Sequence, residues 1–536
     1  MSSHQEDEAA GWDDRRASRA RLGPPLLAVL IGALDLTVIA TILPRMVSDL
    51  RINTVDIDRY VWVVNGYLLA YIVAIPIMGR VSDILGRRSA FLISLGIFIA
   101  GSAWCARADD LTGLIAGRAI QGAGGGALLP VTMALVGDVV PPAGRLAALG
   151  IVGAVDTLGW VLGPLWGAAI VGLFSSQSGS WRWVFYVNIP LGIIAAIAIV
   201  MLDRRRTAPQ QPAGSWRIDL LGTVLLSAML VLFNLALSSG SELGQTATSG
   251  SRALGGTSNP LADYLLPMLL GVLVFAVLFI FWERRVRFPI LPLTLFHDRR
   301  FTAAMTANFI TGVALIVAMV NVPIVIALLV SEGAVSAISA VMLAPFTVLM
   351  AALSFAGGIV ARRRGARATA AIGLILVAAG YALLWLGLRG GDYRWMFPGL
   401  AVAGAGFGLV IAPIGATVLD AVPATDRGVA VGLTLVFRLL GMTIGISTLT
   451  SIGIRRLQTL TGRLQTIVRR PGESTVDFLL RQNQFIEDRV IPLSIQVIRE
   501  TFLIAGLLAL IAIIPVLFLG RRDAEQHPAP PSTVLD

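Results

Sequence analysis

The chain contains no lysine; all 42 of its basic residues are arginine. That absence removes Schiff-base and amine-nucleophile chemistry. Cysteine is nearly absent too. Cys105 stands alone, which excludes an intrachain disulfide and a paired-thiol metal site. Set within an apolar run, it reads as a small core hydrophobe. Charge is scarce: 14% of residues are charged, against roughly 25% in soluble domains. The three histidines, His4, His297 and His527, fall in tails or loops, and no phosphate-cradling glycine loop or ATP-binding motif occurs. No soluble catalytic constellation remains. The chain is therefore expected to be no enzyme, to hold no metal and no cofactor, and not to be driven by ATP.

What the sequence has in abundance is apolar residues, 56% of 536. A bilayer-spanning helix needs about 20 of them in succession. About fourteen such runs can be read, at roughly 24–45, 60–79, 89–107, 112–137, 147–174, 183–202, 219–238, 262–282, 301–330, 337–361, 368–388, 396–421, 429–454 and 494–520. The predicted fold class is an all-α polytopic membrane protein. The first run follows an acidic-then-basic tail, Glu6 to Arg21, contains Asp35 and has no small-residue cleavage pattern behind it. It reads as a retained helix and not as a signal peptide.

The arginines give the orientation. Alternate links carry Arg80/Arg87/Arg88, Arg204–Arg206, Arg284/Arg285/Arg287/Arg299/Arg300, Arg362–Arg364/Arg367 and Arg521/Arg522. By the positive-inside rule these links and both termini are expected in the cytoplasm, in a multi-pass protein of the cell inner membrane. The net charge of +10 is thus spread between apolar runs and not over one amphipathic face, so nucleic acid is not an expected partner. One polar stretch, Arg455 to Arg489, is arginine-rich on the opposite side. Long translocated segments lie outside the rule.

A faint repeat is visible. Gly79-Arg80-Val81-Ser82-Asp83-Ile84-Leu85-Gly86-Arg87-Arg88 follows the second run, and a degenerate echo, Gly357-Gly358 through Arg362-Arg363-Arg364-Gly365-Ala366-Arg367, follows the tenth. With runs seven and eight set aside as an insertion, the two loops occupy corresponding places in halves of six. The expected division is a tail at 1–23, a six-helix bundle at 24–203, a linker at 204–300 with two extra spans, a second six-helix bundle at 301–520 and a tail at 521–536. Within the linker, the Gly/Ser-rich segment Ser238 to Pro260 reads as an exposed loop.

Several residues carry chemistry. Asp35 lies in span one, where a midplane carboxylate costs roughly 2.5–3.5 kcal/mol on insertion scales and asks for an ion-pair partner or a proton. Asp83 can pair with Arg87 and Arg88 across one helical turn, or reach a neighbouring helix end, and so latch one conformation. The alternative for that loop, Gly79 and Gly86 included, is a topological anchor. Arg118, in Gly117-Arg118-Ala119-Ile120-Gln121-Gly122, must face the bundle and seek carboxylates, carbonyls or water. In span five, Gly153, Gly159, Gly163 and Gly167 make a smooth packing face, and Pro164 is expected to bend the helix. Asp156 beside them has either a coupling or a structural role. Arg438 is an isolated cation in span thirteen. If spans one and thirteen face each other across a cavity, Asp35 or Asp156 can pair with it.

These motifs, in this order, resemble the fourteen-span drug:proton antiporter branch of the major facilitator superfamily from the first span to the last. The resemblance implies two six-helix bundles joined through two inserted helices, a latch in the first loop, proton coupling through Arg118 with the intramembrane carboxylates, and an exporter signature in span five. Where the family often has a basic residue, this chain has Ile84, so one latch partner is missing. A finer likeness, to mycobacterial triacylglyceride and lipoglycan exporters, lies in Leu409-Val410-Ile411-Ala412-Pro413, in Phe437-Arg438-Leu439-Leu440-Gly441-Met442 and in the outer stretch. Those relatives tend to carry an acid where this chain has Thr157, one place after Asp156. The function expected is proton-coupled export of hydrophobic or amphipathic molecules, lipids such as triacylglycerides or glycolipids foremost. A multidrug/proton antiporter is the alternative, and a non-transporting receptor or scaffold a remote one. The expected partners are a hydrophobic small molecule or lipid, membrane lipids and a periplasmic or cell-surface lipid carrier, the transporter itself being a monomer driven by the proton gradient.

The outer stretch has a pattern of its own. Leu457, Leu460, Leu464 and Ile467 recur at helical spacing opposite Arg456 and Arg463. After a turn at Pro471-Gly472, Ser474 with Asp477 makes a capping box that leads into Phe478, Phe485, Ile486 and Val490. The prediction is an outer helical hairpin within 455–493, an arm of roughly 24 Å.

Overall fold

In lipid a chain must satisfy its own backbone groups, so each long apolar run has one outcome, a helix. The computed structural model describes residues 22–39, 42, 46, 49–50, 57–140, 142–174, 179–203, 219–240, 264–287, 289–330, 332–390, 392–423, 426–462 and 474–520. Both tails, most of the Ser238–Pro260 loop and the Pro471-Gly472 turn lie outside them. The described residues form helices and turns and no strand. The long helices are α1 (Leu22–Ile39), α2 (Ile57–Leu85), α3 (Arg87–Arg107), α4 (Leu111–Val139), α5 (Pro142–Leu173), α6 (Arg182–Asp203), α7 (Leu220–Gly240) and α8 (Leu265–Glu283). They continue with α9 (Arg299–Leu329), α10 (Glu332–Arg364), α11 (Ala366–Gly387), α12 (Met396–Ala421) and α13 (Arg427–Thr461). A short α14 (Thr475–Phe485) runs through a π-helical turn, Ile486–Val490, into α15 (Ile491–Ile511). Among the described residues twelve helices are long and apolar enough to cross a membrane; α5, of 32 residues, and α7, of 21, stand beside them.

Burial confirms which solvent surrounds the chain. Helix α8 has the higher mean hydropathy, 2.7, yet only 6% of its apolar window is buried, whereas α12, at 2.0, is 89% buried. Leu266, Leu270, Leu273, Val277 and Phe281 all point outward from α8. A face that apolar would be a liability in water and is the expected one against lipid.

The repeat read faintly in sequence is plain in the backbone. Gly86 joins α2 to α3 at φ 85°, ψ 151°, and Gly365 joins α10 to α11 at φ 85°, ψ 156°. That left-handed region costs a residue with a Cβ and suits glycine. Packing repeats as well: α4 is held by α2 and α3 as α12 is held by α10 and α11, and α6 lies on α3 as α15 lies on α11. Between the halves α5 lies on α10, and α13 lies on α2. The inserted helices α7 and α8 pack on each other, with α7 also touching α2 and α13.

At the far end, α13 runs to Thr461 and α14 is capped as the sequence predicts. Ser474 Oγ accepts from the Asp477 amide at 3.1 Å and donates to its carboxylate at 2.7 Å. Leu457 and Leu460 are half-buried on α13, as are Phe478 on α14 and Phe485 at its end, while Val476, Leu479 and Leu480 are exposed. Leu464 and Ile467 lie outside the described residues. The foot of the arm is tied by Arg456, whose Nε and Nη2 donate to Glu500 on α15 at 3.1 and 3.3 Å.

Candidate functional site

Three ionic centres lie between or within the halves. The first is closed inside the N-terminal half. Tight contact of α1 and α5 sets its frame: a Cβ on Gly159 would stand 2.5 Å from Ala33 Cβ, and one on Gly163 would stand 2.0 Å from Thr37 Oγ1. Gly153 makes the other face of α5, where its added Cβ would meet Ile411 at 3.0 Å. Gly167 is buried, and the Pro164 side chain lies outside the described residues. Asp35, 2% exposed, accepts from Arg118 Nη1 at 2.5 Å, from Gln121 Nε2 at 2.9 Å and from Asn188 Nδ2 at 2.8 Å. Gln121 in turn accepts from Arg118 at 2.7 Å and donates to Ser102 at 2.8 Å. The Arg118 guanidinium lies 4.0 Å from the centroid of the Tyr67 ring. Both charges are fully out of solvent, where a pair holds only if hydrogen bonds saturate it. Here Gln121 and Asn188 do so, with the Val63 carbonyl accepting from Arg118 Nε at 3.4 Å, leaving one orphan, Arg118 Nη2.

The second centre faces open space. A cavity of about 50 Å³ is lined by Asp156 from α5 and Arg438 from α13, with Tyr71, Leu129, Leu315, Met319, Phe346, Thr347, Met350, Leu435, Leu439 and Met442. Drug-sized sites measure roughly 300–1,000 Å³, so in this conformation the cavity is narrow. Asp156 and Arg438 interact electrostatically across it and form no direct ion pair. Arg438 Nε donates to Asn308 Oδ1 at 3.3 Å, and Asn308 donates to the Thr434 carbonyl. Of the two acids the sequence offered to Arg438, Asp156 faces it and Asp35 does not. Asp35 is turned into its own half toward Arg118, and Asp156 takes the place opposite Arg438. Helix rotation decides this, and no spacing along one helix reveals it.

The third centre joins the halves at the arginine-rich loops. Asp83 accepts from Arg87 and from the first amides of α13, Gly428 at 3.0 Å and Val429 at 3.2 Å. A carboxylate there also meets the positive end of the helix dipole. Arg87 reaches on to Asp138 at 2.9 Å and Ser82 at 2.7 Å, and Asp138 accepts from Arg427 at 3.0 Å. Arg80 bonds Asp426 at 3.4 Å. The backbones touch closely, for a Cβ on Gly79 would stand 2.7 Å from the Gly428 carbonyl. Ile84, expected to leave the latch short of a partner, is buried, and α4 and α13 bring Asp138 and Arg427 into the network. Arg88 faces away, with Nη2 donating to the Val200 carbonyl at 3.4 Å. Asp138, Asp426 and Arg427 were not singled out in sequence; their only mark there is a position at helix ends flanking the fourth and thirteenth runs. Asp426 lies outside the spans, and its burial, outweighing the attraction of Arg80, raises its carboxyl above the usual range. Among the described residues no group of three or more metal-ligating side chains occurs.

Two pseudo-symmetric helix bundles closed over a small cavity, with charge set between them, define a membrane transporter and not an enzyme. The chain belongs to the Major Facilitator Superfamily, whose sequence profile matches residues 26–446. Among its relatives, a triacylglyceride transporter of Mycolicibacterium hassiacum is 34% identical over 96% of this chain and 95% of its own length. The triacylglyceride transporter of Mycobacterium tuberculosis H37Rv is 35% identical over 96% of this chain and 97% of its own. Of solved structures, a proton:xylose symporter superposes with a TM-score of 0.56 at 13% identity, covering 92% of this chain and 95% of that one. The human organic anion transporter MFSD10 does so with a TM-score of 0.55 at 14% identity, covering 92% and 99%. At such identities the likeness to solved structures is one of fold.

Proposed function

We propose that this protein is a proton-coupled exporter of neutral or glycosylated lipids, triacylglycerides foremost, in the cell inner membrane with both termini in the cytoplasm. The observation that carries the reading is the cavity. Its wall is mostly apolar side chains, with Tyr71 and Thr347 among them, and its charged couple is Asp156 and Arg438, drawn from different halves. The relatives named as triacylglyceride transporters, aligned over nearly the whole chain, support the choice of lipid.

The mechanism follows from which half holds which charge. With Asp156 ionised, its attraction to Arg438 draws α5 toward α13 and favours the closed-down cavity. A proton on Asp156 removes that attraction and lets the halves part, so that a lipid enters from one side and leaves at the other. Asp35 and Arg118 serve as a second station. Their pair is closed in this conformation, and rearrangement of α1 against α4 exposes Asp35 to a proton. Asp83, Arg87 and their partners latch the cytoplasmic side. Asp83 caps α13, so tilting that helix away breaks several charge-assisted bonds together. The outer arm, with exposed Val476, Leu479 and Leu480, offers an apolar surface along which an acyl chain passes to a periplasmic or cell-surface carrier.

The test is flux from proteoliposomes under an imposed pH gradient, with a labelled triacylglyceride and a cationic dye measured side by side. Gradient-driven movement of the triacylglyceride is expected. Movement of the dye alone would make the protein a multidrug antiporter, and movement of neither would remove the transport reading.

A further inference from the structure

A pair of acids lies outside the cavity lining, at the foot of the inserted helices. Asp219 begins α7 and is 8% exposed; Glu283 ends α8 and is 4% exposed. Both oxygens of Asp219 accept from the Trp282 indole N–H at 2.9 Å, and Oδ1 accepts from the Gly222 amide at 2.9 Å. Glu283 Oε1 accepts from the Leu291 amide. Its other oxygen, Oε2, is buried and has no donor. That orphan points at Asp219: a Cβ on Gly222 would stand 2.2 Å from Asp219 Oδ2 and 3.1 Å from Glu283 Oε2. Among the described residues, the groups facing Glu283 are Asp219 and the Ile290 and Leu291 amides. Arg284, Arg285 and Arg287, next along the chain, are exposed, and Arg285 stacks on Phe281 at 4.0 Å.

Two buried carboxylates side by side cannot both stay ionised without a cation between them. We propose that this pair is a proton-binding site separate from the transport cavity, in which Glu283 Oε2 carries the proton and donates it in a hydrogen bond to Asp219 Oδ2. The helix ends decide which acid holds it. Asp219 stands at the N-terminus of α7, where the dipole and two N–H donors favour an anion, and Glu283 stands at the C-terminus of α8, where the dipole disfavours one. The proton supplies the donor that Oε2 lacks. It also closes a clasp: the start of α7, the end of α8 and, through the Leu291 amide, the segment leading to α9 become one bonded unit. Ile290, Leu291 and Leu295 bury that segment in the core. When the proton leaves, like charges meet in a buried place and the clasp loosens beneath α7, which touches α2 and α13. The site therefore reports pH at the foot of the inserted pair, whichever solute the cavity carries.

The full-length protein in lipid nanodiscs tests this by infrared spectroscopy and thermal unfolding as a function of pH. At neutral pH the wild type is expected to show a protonated-carboxyl stretch that Glu283→Gln lacks. Asp219→Asn, whose amide donates to Oε2 and so frees Glu283 to ionise, removes the same band, and it carries the test if Glu283→Gln does not fold. As the pH is raised the wild-type band should titrate away with a fall in Tm of about 2 °C, a slope absent from Glu283→Gln. An unchanged band in both variants would overturn the proposal. So would a wild type stabilised by added sodium or calcium at constant pH, which would make the occupant a metal cation.

Discussion

Arg118 and Arg438 are both guanidiniums set in apolar helices, and their surroundings differ in kind. Arg118 has its carboxylate at 2.5 Å, within a network of Gln121, Asn188 and Ser102 that no solvent reaches. Arg438 has one weak bond at 3.3 Å and looks across open space at Asp156. A saturated pair is fixed by its partners and resists change; an unsaturated one responds to a ligand or a proton. On the proposed mechanism the enclosed pair meets a proton only once α1 rearranges against α4, whereas the couple between the halves responds directly, and the partners distinguish the two cases.

The largest effect should come from breaking the saturated centre. Arg118→Ala leaves Asp35 buried without its charge partner, a loss worth about 3–5 kcal/mol for pairs of this sort. The variant should lose most of its folded yield and show a marked drop in Tm, measured by fluorescence-detected size exclusion. Arg438→Ala, with no ion pair to break, should fold like the wild type and lose lipid flux. Equal loss of stability in both variants would erase the distinction.

A smaller effect is expected at the latch, which combines both characters. Asp83→Asn keeps the side-chain shape and removes the charge that Arg87 and the first amides of α13 share. Weakening charged hydrogen bonds by about 1.5 kcal/mol shifts the open-to-closed ratio roughly tenfold. Single cysteines placed on the arginine-rich side, with Cys105→Ser as background, should become more reactive. Unchanged reactivity would make the loop a topological anchor only.

The smallest effect concerns Asp426. Burial raises its carboxyl above the usual range in the closed state, so that state binds the proton more tightly than an open one in which the group is hydrated. The stabilisation is present below the ordinary carboxylate pKa and fades as the pH rises through the raised one. With the side chain still 20% exposed, solvent screens the effect, and Asp426→Asn should do little beyond flattening it. A strong shift of the closed state in this variant at neutral pH would mean that the Arg80 bond matters more than its exposure suggests.

Length and hydropathy carried most of the fold. The twelfth run, expected at 396–421, is α12 with the same bounds, and the sixth, expected at 183–202, is α6 at 182–203. Misses came where polar residues continue a helix: the run expected at 60–79 is α2 at 57–85, carried on through Arg80 and Asp83, because a helix needs no apolar neighbours outside lipid. The site was legible residue by residue and not in its pairings. Asp35, Arg118, Asp156 and Arg438 stand out as charges in apolar runs, but which acid meets which arginine depends on the rotation of α1 and α5 against each other, set by Gly159 and Gly163. Asp138, Arg427, Asp219 and Glu283 sit at helix ends, where a charge is ordinary, and only their convergence in space makes them notable.

On the proposed mechanism Asp156, opposite Arg438, couples the proton to the lipid. Asp156→Asn keeps the shape of the side chain and cannot carry the charge, so proteoliposomes containing it should still exchange labelled for unlabelled triacylglyceride at equilibrium while failing to accumulate it under a pH gradient. Gradient-driven accumulation at the wild-type rate in this variant would contradict the account.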